Sequence, residues 1–74
     1  MNIYQRLKNL REDADKSQEE IAKIIGTSQS YYAQYENGKR PIPFERIVLL
    51  AKYYNVSIDY IAELIDTPRK LNDN

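Results

Sequence analysis

The sequence has no cysteine, no histidine and no tryptophan. Without cysteine there are no disulfides and no thiolate chemistry, and without histidine there is no imidazole acid–base catalysis. Losing both removes nearly all zinc and transition-metal sites. Glycine occurs only twice, at Gly26 and Gly38, so a phosphate-cradling glycine loop is excluded as well. The carboxylates fall on helix faces expected to be solvated, and no catalytic residue, metal or cofactor is expected. No run approaches the roughly 18 apolar residues that a membrane span requires. The N-terminus also lacks the basic-then-apolar pattern of a secretory leader, and a cytoplasmic protein with no membrane partner is expected. Finally, there is no surplus of charge, because 11 basic residues balance 11 acidic ones. Any attraction to a polyanion must therefore be local.

What is present fits one small domain. Seventy-four residues, 42% of them hydrophobic, allow a single modest core built by helix packing. The punctuation divides the chain into five helical patterns. The first opens at Asn2 with Gln5 three residues on, carries Ile3, Leu7, Leu10 and Ala14 on one stripe, and is expected to end near Asp15 or Lys16. The second starts at Ser17-Gln18-Glu19-Glu20, a capping-box spacing, and is stopped by Gly26 in the left-handed conformation. Thr27 or Ser28 caps the third, which runs to Asn37-Gly38. After the proline-pinned Lys39 to Pro43, the fourth spans Phe44 to Tyr54, with Asn55 as a left-handed cap. The fifth runs from Ser57 to about Ile65. An all-α, five-helix domain over residues 1–66 is expected, with a polar tail at 67–74.

The unit at about 17–38 carries the functional argument. Ala22 leaves room for a second helix to approach, Gly26 permits a tight turn, and Ile21, Ile25, Tyr32 and Tyr35 fill the wedge between two crossing helices. The plain alternative is an ordinary helical hairpin. A helix-turn-helix would instead lay its second helix in the DNA major groove and its first across the phosphates. At about 100° per residue, Ser30, Ala33 and Gln34 point away from the buried stripe, with Gln29 at the edge of that face. Gln29, Ser30 and Gln34 are candidates to read base edges, glutamine being able to pair bidentately with adenine; as a bland alternative they are soluble surface residues. Tyr31 flanks the same face, where it could stack, bond a phosphate, or pack sideways. Charge supports the placement: between Gly26 and Pro43 the only acid is Glu36, against Lys39 and Arg40.

The run Gln18-x3-Ala22-x3-Gly26-Thr27-Ser28-x3-Tyr32-x2-Tyr35-Glu36-Asn37-Gly38-Lys39-Arg40, with Leu50-Ala51 and Asn55-Val56-Ser57-x-Asp59, resembles the Cro and phage-repressor (XRE-like) family of helix-turn-helix regulators over residues 1 to about 65. The resemblance implies a lambda-repressor-like fold and binding to double-stranded DNA. It further implies a phosphate contact from Gln18, base contacts from Gln29, Ser30 and Gln34, and phosphate contacts from the backbone at Asn37 and Gly38 and from Lys39 or Arg40. Phosphate contacts of this kind set orientation, while base contacts set sequence choice.

Two features lie beyond that unit. Arg11 sits inside the apolar stripe of the first helix, and Glu36 lies near the buried side of the third, so an Arg11–Glu36 ion pair is expected. The last two helices hold more apolar residues than one core face can use. Phe44, Ile47, Leu50, Ala51 and Tyr54 form the inward stripe of the fourth, and Ile58, Ile61, Ala62 and Ile65 that of the fifth. This leaves Leu49, Tyr53, Tyr60 and Leu64 outward. Such a patch is expected to join two copies as a homodimer, the plain alternatives being scattered surface apolar residues or an extended core. A sequence-specific transcriptional repressor is the reading these features favour. The alternatives are an antitoxin-like autoregulator, and a protein-interaction module that keeps the fold without DNA.

Overall fold

A computed structural model of the chain describes residues 2–62. Five helices follow one another: α1 (Ile3–Asp13), α2 (Gln18–Ile24), α3 (Gln29–Glu36), α4 (Phe44–Tyr54) and α5 (Ile58–Ile61). No strand occurs among the described residues. All starts but that of α4 are set by side-chain caps. Asn2, Ser17, Ser28 and Ser57 each accept a hydrogen bond from the backbone N–H three residues on, and at Ser17 the Glu20 side chain reciprocates. Each cap satisfies a backbone donor that the first turn leaves without a partner.

The ends share one device. Asp15 (φ 58°), Gly26 (φ 77°), Gly38 (φ 76°) and Asn55 (φ 56°) are left-handed. In each case the following N–H reaches back across the last turn: Lys16 to Arg11, Thr27 to Ala22, Lys39 to Gln34 and Val56 to Ala51. These bonds close the orphan carbonyls of α1 to α4 in the same way. Gly26, Gly38 and Asn55 fall where expected. The stop of α1 does not: the left-handed turn at Asp15 ends it at Asp13, two residues early, and leaves Ala14 exposed as its C-cap.

The two glycines serve different needs. A side chain at Gly26 would meet nothing, so only its φ favours glycine there, whereas a Cβ at Gly38 would lie 3.1 Å from the Tyr4 ring. The Gly38 backbone is thus seated directly against a ring from α1, and the loop after α3 is registered to the first helix.

The core comprises Leu7, Ile21, Ala22, Ile25, Tyr32, Tyr35, Ile47, Leu50, Ala51, Val56 and Ile61. Helix α2 packs on α3, α1 on both α3 and α5, and α4 on α5. Two expectations fail here. Phe44 is 64% exposed rather than inward; as the first residue of α4 it lies at the helix end. Tyr60, expected outward, is half-buried against the core with the Arg6 guanidinium 3.9 Å from its ring centroid. A four-residue helix has barely one turn, and a partner on α1 claims that side of it. Leu64, Ile65 and the 67–74 tail lie outside the described residues.

Candidate nucleic-acid interface

Ser28 starts α3 immediately after the Gly26 turn, so α3 crosses α2 with Tyr32, Tyr35 and Glu36 buried. At about 100° per residue, Ser30 and Gln34 lie opposite those three. Ser30 and Gln29 are exposed, Gln34 is half-buried, and Tyr31 is 37% exposed. The face they make carries no ionisable side chain except the Tyr31 phenol.

The acid in this segment is neutralised from within. Arg11 Nε donates to Glu36 Oε2 at 2.7 Å and its Nη2 donates to Oε1 at 3.1 Å, a bidentate pair. The third Arg11 bond goes to the Lys16 carbonyl. The two side chains retain 13% and 2% of their exposure. Burial opposes the charge on Glu36, but the donors from Arg11 and Gln18 outweigh it and hold the carboxyl below its usual range. The same hydrogen bond raises Arg11. Beside the pair, the Tyr54 hydroxyl is buried without a hydrogen-bond partner, the Tyr32 hydroxyl is buried next to Glu36, and burial pushes both phenols up and keeps them neutral.

From Glu36 a chain of hydrogen bonds runs outward. Gln18 Nε2 donates to Glu36 Oε1 at 3.1 Å, and Gln29 Nε2 donates to Gln18 Oε1 at 2.6 Å. An ionised carboxylate can only accept, so the Gln18 amide must turn its nitrogen inward and its oxygen toward Gln29. That in turn commits a Gln29 N–H, leaving the Gln29 oxygen and one further N–H for a ligand. A bidentate contact with adenine needs this acceptor–donor pair.

On the opposite flank the loop after α3 is basic. Lys39 and Arg40 are exposed. The Arg40 guanidinium lies 4.8 Å from the Tyr31 ring centroid, and its Nε donates to Gln34 Oε1 at 3.1 Å. Arg46, from α4, donates to the Tyr35 hydroxyl at 2.7 Å and lies 5.8 Å from the Tyr31 ring. Among the described residues neither Arg40 nor Arg46 has a carboxylate partner. The structure thus links Gln18 with Gln29, and Arg40 with Tyr31 and Gln34, while Ser30, Asn37, Gly38 and Lys39 are exposed. Leu49 and Tyr53, 42% and 39% exposed, lie apart on α4. Arg46 escaped the sequence reading because its partners come from another helix; the available signal was a basic residue just after the Pro41–Pro43 connection.

Residues 7–61 match the helix-turn-helix family HTH_3. The chain belongs to that family. It is 41% identical over 64 residues to YobD, an uncharacterized HTH-type transcriptional regulator of Bacillus subtilis (strain 168), covering 86% of this chain and 57% of the relative. It is 38% identical over 60 residues to RstR, a cryptic phage CTXphi transcriptional repressor of Vibrio cholerae, covering 81% of this chain and 51% of that one. The chain thus spans little more than half the length of these relatives. The fold is that of the P22 c2 repressor protein, solved in complex with a synthetic operator, at a TM-score of 0.78 and 22% identity over 85% of this chain and 96% of that one. Among the described residues, the lambda-repressor-like, all-helical architecture read from the sequence is therefore the architecture present.

Proposed function

We propose that this helix-turn-helix domain binds double-stranded DNA sequence-specifically and acts in the cytoplasm as a transcriptional repressor by occupying an operator. The observation that carries the reading is the outward face of α3. Glu36 is neutralised by Arg11, the exposed side chains are uncharged hydrogen-bonding groups, and the flank holds Lys39, Arg40 and Arg46 with no acid among the described residues paired to the two arginines. Relatives named as a transcriptional regulator and a transcriptional repressor support it. In this reading Gln29, Ser30, Gln34 and Tyr31 meet bases. Gln18, the Asn37–Gly38 backbone, Lys39 and Arg40 hold phosphates, and the Arg11–Glu36 pair fixes α3 against α1. Two copies joined through Leu49 and Tyr53 would place two α3 helices about one DNA turn apart, roughly 34 to 36 Å.

Zero net charge favours one other reading, a protein-interaction module that does not use DNA. Salt separates the two. Selection of duplexes from a random pool, followed by affinity measurement across salt, should give a log–log slope near 0.9 for each phosphate neutralised. Association through an apolar patch alone would show no such slope. Failure to bind any duplex in dilute buffer removes the DNA reading.

A further inference from the structure

The two glutamines of α3 are held by opposite chemistry. Gln29 is held through its nitrogen, by Gln18. Gln34 is held through its oxygen, by Arg40. A guanidinium has donors and no acceptor, so the atom of Gln34 that faces it must be the carbonyl oxygen, whichever way the amide would otherwise turn. The anchoring is doubled at the backbone, where the Gln34 carbonyl accepts from the Lys39 N–H at 3.0 Å and the Arg40 N–H at 3.3 Å. Arg40 is in turn steadied over the face of the Tyr31 ring, a favourable seat for a planar cation. Among the described residues nothing accepts from Gln34 Nε2.

We infer that Arg40 sets the orientation of the Gln34 amide, drawing its oxygen toward the guanidinium and leaving both N–H donors for DNA, so that Gln34 favours a base edge made of acceptors. The inference rests on the DNA-binding reading above and deepens it. A bidentate adenine contact requires the amide oxygen and nitrogen side by side on one edge, and the Arg40 bond takes one of the oxygen's two lone pairs and turns the oxygen toward the guanidinium, which disfavours that pose. Guanine presents O6 and N7, both acceptors, and thymine presents O4. Adenine sets its N6 donor beside N7, and cytosine offers a donor. Gln34 therefore favours guanine first and thymine second, while Gln29, of opposite polarity, suits adenine. Arg40 is a positioning residue for this choice as well as a cation near the phosphates, and Tyr31 is its platform.

The test is a base-preference profile of the full chain, measured by competition between duplexes differing at single positions. The position read by Gln34 is the one whose preference disappears in Q34A. The wild type should favour guanine over adenine there by roughly tenfold, the scale of one satisfied against one blocked hydrogen bond. R40A frees the amide to turn and should bring that ratio below about threefold. K39A, which removes a neighbouring cation of the same loop, should weaken binding evenly and keep the ratio. Q34E replaces the donors by a second acceptor and should shift the preference to cytosine. A wild-type ratio retained in R40A, or a wild-type preference for adenine or cytosine at that position, overturns the inference while leaving DNA binding intact. Absence of association with any duplex overturns both.

Discussion

Around α3, polar groups from α1 and α2 converge on one carboxylate, Glu36, with donors from Arg11 and Gln18 at 2.7 to 3.1 Å. Around α4 and α5 the corresponding work falls to Ile47, Leu50, Ala51, Val56 and Ile61, which have no directional bonds to offer. The difference matches what each half has to specify. Apolar burial is strong but indifferent to small rotations, which suffices to hold two short helices together. In the proposed reading α3 sets side chains against base edges, which needs its rotation and its amide orientations defined, and hydrogen bonds to a buried charge supply that. The cost is that one lost partner leaves an unpaired charge inside the protein.

The contrast is most exposed at Glu36. Glu36→Ala strands the Arg11 guanidinium and should lower unfolding free energy by about 3 to 5 kcal/mol, measured by urea denaturation; an unchanged midpoint would mean that the pair locks nothing. Its pH signature has a definite sign. The folded pKa of Glu36 is depressed, so its stabilisation is fully present above the unfolded value of about 4.3 and is lost as pH falls through the folded value. E36Q should therefore flatten the drop in melting temperature between pH 7 and pH 3.

Leu50 probes the other half. It is fully buried, and Leu50→Ala should cost about 2 to 5 kcal/mol through lost burial and the cavity left behind. Unlike Glu36→Ala, it should leave the base preferences of whatever protein remains folded unchanged. A shifted profile in Leu50→Ala would break the division between the two halves.

The smallest effect on folding is expected at the outer face of α4. The double substitution L49S/Y53S should move stability by no more than about 0.5 kcal/mol per site, yet convert dimer to monomer in sedimentation at micromolar concentration. A wild type that sediments only as monomer removes this surface from the account.

Much of this was legible in advance, for local reasons. Helix α4 runs from Phe44 to Tyr54 as expected because Pro43 and Asn55 bracket it with their own backbone preferences. The starts of α2 and α3 are announced by serines that cap whatever helix follows. The end of α1 was expected near Asp15 or Lys16, but the left-handed turn at Asp15 that closes it at Asp13 was not legible, because aspartate enters that region far less readily than glycine. Phe44 and Tyr60 were misplaced because periodicity describes one helix and says nothing about where its neighbours end. The links Gln34 to Arg40 and Arg46 to Tyr35 depend on how the loop after α3 folds back and on where α4 lies beside α3, which no single helical pattern contains. Arg11 with Glu36 could be anticipated because each is a charge standing in an apolar stripe.

The seat of Gly38 against Tyr4 bears on attempts to retarget this scaffold. A recognition helix transplanted between relatives would arrive without the ring that positions its trailing loop and without the arginine that fixes its roll. The portable unit is therefore α3 together with the inward-facing side of α1, and a chimera that exchanged the third helix alone would carry the new letters in the wrong frame.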